Sequence, residues 1–208
     1  MNNFEKLFSE KIQNVLGCLD PAHDLAHVTR VVSTAKKLAL EENANLEVVI
    51  PAAWLHDLVN LPKNHPDRKK ASVLAADEAL VFLQSVNYSQ KYFKEIHHAI
   101  CAHSFSANIK PETLEAQIVQ DADRLDALGA IGLARLFAIT TQLGRPFYDF
   151  NDPFAQNRPL DDKDFGIDHI YIKLEKISNS MNTKSARVEA LRRFKFIEEF
   201  LDELKKEI

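Results

Sequence analysis

The spacing of the apolar residues constrains the fold of this chain more than any other feature. Between residues 24 and 42 they recur at three- and four-residue steps, which places them on one stripe of a helix. Alternation with a period of two is almost absent, and only five of the 208 residues are glycine. The pattern predicts an all-α fold. The stripe consists of Leu25, Val28, Val31, Val32, Ala35, Leu38 and Ala39.

The same periodicity extends along the whole chain. Beyond the segment just described, helices are predicted at 4–19, 46–58, 69–85, 90–102, 112–141 with a bend, 167–179 and 184–206. The longest irregular stretch, 143–166, is rich in Pro, Asp and Asn, and a loop of this length is usually functional or mobile. We find no repeat and no linker, so residues 1–208 are predicted to form a single-domain helical bundle. The last helix is expected to bury Val188, Leu191, Phe194, Ile197, Leu201 and Leu204.

Composition narrows the function classes. The formal net charge is −4, so the overall balance gives no sign of binding to nucleic acid or to an anionic membrane. No stretch approaches the ~18 consecutive apolar residues of a membrane span, and the charged N-terminus does not resemble a signal peptide. Cys18 and Cys101 are expected to be free thiols in a reducing compartment, with one disulfide between them as the alternative. These features predict a soluble cytoplasmic protein and leave its oligomeric state open.

Histidines and carboxylates occur together at four places in the chain. A mixed set of imidazole and carboxylate ligands suits a divalent ion such as Mn, Fe, Ni, Zn or Mg, and leaves coordination positions open for water and phosphate oxygens. Such an ion lowers the pKa of a water molecule and neutralises charge on a phosphoryl group. The four groups are His23 and His27; His56 and Asp57; His97, His98 and His103; and Asp121, Asp123 and Asp126.

Each group taken alone has a simpler interpretation. A His-Asp pair more often ends a helix than binds metal, and the aspartates of "DADRLD" can complement a helix N-terminus. The order of the groups favours a shared site, because His27, the pair His56-Asp57 and Asp123 fall on three separate predicted helices.

That order resembles the H…HD…D signature of the HD-domain metal-dependent phosphohydrolase superfamily. The segments "HDLAHVTRV", "AAWLHDLV" and "QDADRLDALGAIGLAR" are similar to the small single-domain bacterial branch of that superfamily, as are "HIYIKLEKI…MNT" and the C-terminal "ARVEALRRFKFIEEFLDEL". The resemblance covers most of the chain. It implies an all-α fold of the HD-domain type around one site, where metal-activated water attacks a phosphoester or phosphoanhydride.

Carried onto this sequence, the resemblance implies that His27, His56, Asp57 and Asp123 bind the metal, and that Asp57 also holds or deprotonates the attacking water. His23 and Asp126 are expected to hydrogen-bond to a ligand. Some relatives hold a second metal on additional histidines, for which His98 and His103 lie in a plausible segment. The usual spacing for that second metal has no clear match, which favours one ion.

A phosphorylated substrate also requires cations. Arg30 follows His27 by three residues and so shares its helix face. Lys63 lies in the loop after the His-Asp pair, and Lys173 matches a recurrent lysine of the resembled family. A solvated surface position is the simpler interpretation of each.

The sequence therefore predicts a divalent-metal-dependent phosphohydrolase acting on a nucleotide or a similar small phosphorylated metabolite. Some relatives resemble nucleoside triphosphate pyrophosphohydrolases. The alternative is a non-catalytic HD-like regulatory module that binds metal or nucleotide. A nuclease is disfavoured by the acidic balance. The 143–166 segment is a candidate cover for the substrate, with Arg145, Phe147, Tyr148 and Arg158 suited to stacking on a base or gripping phosphate.

Overall fold

The computed structural model describes residues 3–15, 24–59, 61, 67–104 and 107–208. Every regular element in these ranges is helical, as the periodicity predicts. In the same ranges no helix is both long and apolar enough to cross a membrane. The α-helices are α1 Asn3–Val15, α2 Leu25–Glu41, α3 Leu46–Leu55, α4 Ala71–Ser85, α5 Phe93–His103, α6 Leu114–Leu125, α7 Gly129–Gln142, α8 Glu175–Ser178 and α9 Lys184–Glu207.

The chain forms two compact units, Met1–Asp123 and Arg124–Ile208. In the first unit α3 packs against α1, α2 and α5, and α4 packs against α5. In the second unit α9 packs against α7 and α8. The expectation of one domain over residues 1–208 stays a prediction.

Helix α2 follows the predicted stripe closely. Its N-cap Asp24 accepts a hydrogen bond from the backbone N–H of His27 at 2.8 Å, which satisfies one of the donors left open at a helix start. Six of the seven residues predicted to form the stripe are buried, from Val28 to Ala39. The exception is Leu25, the first helical residue.

Helix α3 is the apolar segment that leads to the His-Asp pair. Its side chains are buried almost throughout, and it ends at Leu55, three residues before the predicted end. Pro51 lies in its second turn and has no N–H to donate to the carbonyl of Glu47. The hydroxyl of Tyr88 donates to that carbonyl at 2.8 Å instead. A side chain from outside the helix thus replaces the hydrogen bond that proline removes.

The predicted long helix at 112–141 is two helices, α6 and α7, separated by residues 126–128. Gly129 begins α7 with a φ of +72°, a conformation that residues with a Cβ rarely adopt. A Cβ on Gly132 would lie 2.2 Å from the backbone oxygen of Ala127. Two glycines therefore make the sharp turn possible, and the anticipated bend is a complete break.

The C-terminal helices differ from prediction in two respects. The predicted helix at 167–179 is a π-helical segment, Ile170–Leu174, that continues into α8. On α9 the buried stripe was predicted partly wrong, because Val188 is 66% exposed and Leu191 is 61% exposed. Small residues occupy the buried face there, since an alanine allows a neighbouring element to approach closely. The buried residues of α9 are Ala186, Ala190, Ile197 and Leu201.

Candidate metal centre

The centre is built at the ends of helices in the first unit. His27 lies in the first turn of α2, where the Asp24 cap fixes its backbone. His56 is the residue that follows the last residue of α3, and Asp57 comes directly after it. Asp123 lies near the end of α6. The two imidazoles are buried, whereas the Asp57 side chain is 15% exposed and that of Asp123 is 29% exposed.

These four side chains meet. The Nε2 atom of His27 is 3.5 Å from Oδ1 of Asp123 and 3.9 Å from Oδ2 of Asp57. The Nε2 atom of His56 is 3.5 Å from Oδ2 of Asp57 and 4.0 Å from Oδ1 of Asp123. One donor atom each from His27, His56 and Asp57 lie within 4.8 Å of one another, a separation that suits a single ion.

The hydrogen bonding of His56 fixes what its ring presents to this cluster. Its Nδ1 atom lies 2.8 Å from the carbonyl oxygen of Ala53, so the Nδ1–H donates there and Nε2 carries the lone pair. That Nε2 atom is buried and has no hydrogen-bond partner among the described residues. A lone pair facing carboxylate oxygens is unfavourable unless a cation lies between them. The residues present therefore fit a divalent metal.

The pKa of Asp123 also favours a metal ligand at this position. Burial raises the pKa of its carboxyl group, but the neighbouring imidazoles, above all that of His27, lower it by more. The net result is a pKa below its ordinary value, which keeps the carboxyl group ionised and available as a metal ligand.

A third imidazole faces the same cluster. His103, the last residue of α5, is buried, and its Nε2 atom lies 3.7 Å from Oδ1 of Asp57. Its ring packs edge-on against that of His56, with the centroids 4.9 Å apart. Burial and the neighbouring His56 lower the pKa of His103, which favours its neutral form. The sequence named His103 only as a candidate, because spacing along the chain does not show which histidines of α5 face inward.

His98, the other candidate on α5, has a different environment. Its Nε2 atom accepts a hydrogen bond from the backbone N–H of Glu112 at 2.9 Å, so that lone pair serves to hold the segment before α6. His97 lies 3.0 Å from the Asp77 carboxylate on α4. Of the three histidines on α5, only His103 makes a described contact with the His-Asp pair.

The remaining predicted site residues lie in several places. Arg30 is partly buried on α2, one turn after His27. In the second unit, Asp126 is buried and accepts a 2.7 Å hydrogen bond from Arg135. Lys173 is exposed in the π-helical segment, a kind of element that often marks functional sites. His23 and Lys63 lie outside the described residues.

Residues 143–166 hold an internal hydrogen-bond network. The guanidinium of Arg158 makes two hydrogen bonds, of 2.6 and 3.0 Å, to the buried carboxylate of Asp168 and lies 4.3 Å over the ring of Phe165. Arg145 donates to the carbonyl oxygen of Asp162. Arg158 is thus used in an internal ion pair, which argues against its suggested contact with phosphate.

Comparison with known proteins places this geometry in a family. The model of the HD domain matches residues 24–128, a range that contains all four residues of the candidate centre. The chain belongs to the HD domain family. This is a family of metal-dependent hydrolases, as the H…HD…D order predicted. The protein is also 32% identical to the uncharacterized protein YpgQ of Bacillus subtilis strain 168, over 95% of this chain and 90% of that protein.

Several solved structures resemble this one along nearly its whole length. An HD-superfamily hydrolase from Bacillus thuringiensis is 30% identical with a TM-score of 0.77, and the match covers 98% of this chain and 96% of that one. The crystal structure of Bacillus subtilis YpgQ in complex with ADP has a TM-score of 0.74 at 28% identity, with 98% of this chain and 94% of that one covered. A protein from Lactobacillus plantarum has a TM-score of 0.74 at 30% identity, with 100% and 97% covered.

Proposed function

We propose that this HD domain protein is a divalent-metal-dependent phosphohydrolase that acts on a nucleotide or a closely similar phosphorylated metabolite. The observation that carries the proposal is the convergence of His27, His56 and Asp57 in a buried cluster. The His56 Nε2 lone pair there has no hydrogen-bond donor to face among the described residues.

The metal would be held by His27, His56, Asp57 and Asp123. A divalent ion in this place lowers the pKa of a water molecule and neutralises developing charge on a phosphoryl oxygen. The chain itself orients the reaction. The two carboxylates are the partly exposed members of the set, so a substrate that approaches from solvent meets them first. Asp57 is suited to hold or deprotonate the attacking water, since Oδ2 is its nearest oxygen to the two metal-binding imidazoles while Oδ1 is its nearest oxygen to His103.

Two observations support a nucleotide as the substrate class. YpgQ, which is similar along nearly the whole chain, has been crystallised with ADP. The chain also carries the cations predicted to contact phosphates, Arg30, Lys63 and Lys173. A pyrophosphohydrolase acting on nucleoside triphosphates is the specific reaction that we favour, because some relatives in the resembled branch are similar to such enzymes.

The test is turnover of a nucleotide panel by the Mn²⁺-loaded protein, with all products identified. We expect a nucleoside triphosphate to give a monophosphate and pyrophosphate. The Asp57→Ala variant is expected to lose bound metal and turnover together. Unchanged turnover in that variant would contradict the assignment of the centre. Metal and nucleotide binding without turnover of any compound would support the regulatory module instead.

Lys173 provides a separate test of substrate binding. Replacing it with methionine keeps much of the side-chain volume and removes the charge. We expect the KM for phosphorylated substrates to rise about tenfold while bound metal stays constant, because one charge-assisted contact is worth roughly 1.5 kcal/mol. A loss of metal with an unchanged KM would overturn the role of Lys173.

A further inference from the structure

The last turn of α5 is held by an unusual set of hydrogen bonds. The final carbonyl groups of a helix have no partner within it. Here the carbonyl oxygens of residues 100–102 each accept a hydrogen bond from a side chain. The donors are, in order, His103 Nδ1 at 2.6 Å, Ser72 Oγ at 3.0 Å and Gln120 Nε2 at 2.6 Å. All three donor residues are buried, so α4 and α6 together fix the turn that carries His103.

This arrangement determines the direction of the His103 lone pair. Since Nδ1–H donates to the carbonyl oxygen of Ile100, Nε2 is an acceptor. It lies 3.7 Å from Oδ1 of Asp57. An ionised Asp57, as metal binding requires, has only acceptors on that oxygen. Two acceptors at this separation are stabilised by a donor or a cation between them. His103 is not part of the set of donor atoms that converge within 4.8 Å, so we assign this place to a donor.

The two oxygens of Asp57 face different groups. Oδ2 lies 3.5 Å from His56 Nε2 and 3.9 Å from His27 Nε2, on the side where the three metal-binding donors converge. Oδ1 faces His103. The carboxylate thus links the metal-binding donors to His103.

We propose that His103 is a further catalytic residue, whose Nε2 accepts a hydrogen bond from the attacking water while Asp57 Oδ1 accepts the other. Ser72 and Gln120 are positioning residues, which act on the reaction only through the orientation of His103. The inference rests on the proposed phosphohydrolase function. It assigns His103 to the water and not to a second metal ion.

The first test compares His103→Asn with His97→Asn. Both replace a histidine of α5, but His97 pairs with Asp77 and has no described contact with the His-Asp pair. For His103→Asn we expect kcat to fall about 100-fold, the usual size of a lost proton-acceptor contribution. The KM should remain unchanged, and so should the number of Mn²⁺ ions bound per chain and their affinity. His97→Asn should behave like the wild type.

The second test concerns the positioning residues. Gln120→Met removes the donor to the Ala102 carbonyl, and Ser72→Ala provides a smaller change should the first variant fold poorly. We expect kcat to fall about tenfold, since small misplacement of a reacting group is costly. In the His103→Asn background, neither change should lower kcat further, because its only route of action has been removed. A purely structural role would give additive losses instead.

A third measurement does not depend on activity. In ¹⁵N-labelled protein without metal, the His103 imidazole should be the Nδ1–H tautomer, and in Gln120→Met it should become a mixture of tautomers. An Nε2–H tautomer in the wild type, a lost Mn²⁺ ion in His103→Asn, or additive losses in the double variants would each overturn the proposal. If the wild type hydrolyses no phosphorylated compound, the proposed function fails and this inference fails with it. If it does and His103→Asn is equally active, the inference fails alone.

Discussion

Two carboxylate clusters among the described residues differ in how their charge is balanced. In the second unit, the Asp168 side chain is completely buried and accepts three hydrogen bonds, two from Arg158 and one from the backbone N–H of Asp161. Its charge and its lone pairs are thus satisfied by the chain itself. A cluster of this kind needs no ligand, and we interpret it as the anchor of the 143–166 segment.

The cluster in the first unit is composed differently. Its carboxylates face the Nε2 atoms of His27, His56 and His103, and two of these rings donate through Nδ1 to backbone carbonyls. The cluster therefore brings the acceptor atoms of His56 and His103 close to carboxylate oxygens. Burial of charge alone thus does not identify a functional site. What distinguishes the candidate metal centre is that imidazole acceptor atoms face its carboxylates.

The largest effect on stability is expected from breaking the ion pair of Arg158 and Asp168, whose charges balance each other. Arg158→Met leaves the buried Asp168 carboxylate without its cation, which should lower the unfolding free energy by about 4 kcal/mol. Chemical denaturation measures this loss. Bound Mn²⁺ should not change, because the pair contributes no donor atom to the centre.

A double variant provides the control for that prediction. In Arg158→Met with Asp168→Asn no buried charge remains, so much of the lost stability should return. If the single and double variants were equally unstable, the ion pair would not be the cause.

The carboxylate of Glu5 belongs to another polar cluster, with Lys36 and Trp54, in the same unit as the candidate metal centre. Its buried carboxylate accepts hydrogen bonds from Lys36 at 2.5 Å and from the indole N–H of Trp54 at 3.3 Å. Glu5→Gln removes the charge-assisted bond, so we expect a loss of about 2 kcal/mol in unfolding free energy. Bound metal should again stay constant, since this cluster also satisfies itself.

The pH dependence of this loss has a definite sign. Burial raises the pKa of Glu5, but the hydrogen bonds from Lys36 and Trp54 and the charge of Lys36 lower it further, so the net pKa lies below its ordinary value. The stabilisation is therefore present above the ordinary glutamate pKa and is lost as the pH falls below it. Wild type and Glu5→Gln should converge in stability at acidic pH. A difference that stayed constant with pH would show that the ionised carboxylate is not its cause.

The smallest effect is expected for an ion pair at the surface. Hydrogen bonds from Arg192 and Arg193 lower the pKa of Glu189 to about 2. Arg192 is 69% exposed, so solvent screens much of the attraction, and Glu189→Gln should cost less than about 1 kcal/mol at neutral pH. That small contribution should disappear as the pH falls from the ordinary pKa of 4.5 toward 2. A loss as large as that of Arg158→Met would remove the distinction between buried and exposed pairs.

Much of the fold follows from the sequence because local signals agree with it. The period of α2 and the Asp24 cap predict that helix directly, and the order of His27, His56-Asp57 and Asp123 predicts which residues meet. The predicted stripe on α9 was partly wrong, since periodicity alone does not show that alanines occupy the buried face while Val188 and Leu191 are exposed.

The sequence predicts the members of the centre better than their orientation. The direction of the His103 lone pair depends on the contact of its Nδ1 with the Ile100 carbonyl, and the adjacent carbonyls accept from Ser72 and Gln120, which lie on other helices. The Arg158–Asp168 pair was likewise not predicted, because Arg158 lies in the irregular stretch and Asp168 in the predicted helix that follows, with no spacing that relates them. Interactions of this kind depend on how separate segments pack, and a motif search does not reveal them.

The most direct test of the central claim is thermal unfolding with and without Mn²⁺. At a concentration 100-fold above its dissociation constant, a ligand that binds only the folded protein stabilises it by about 2.7 kcal/mol, which corresponds to a rise in Tm of roughly 5–10 °C for a chain of this size. We predict such a rise for the wild type and for Arg158→Met, and none for His56→Asn. An absence of any shift in the wild type with Mn²⁺, Zn²⁺, Ni²⁺, Fe²⁺ or Mg²⁺, or an equal shift in His56→Asn, would contradict the claim that this cluster requires a cation.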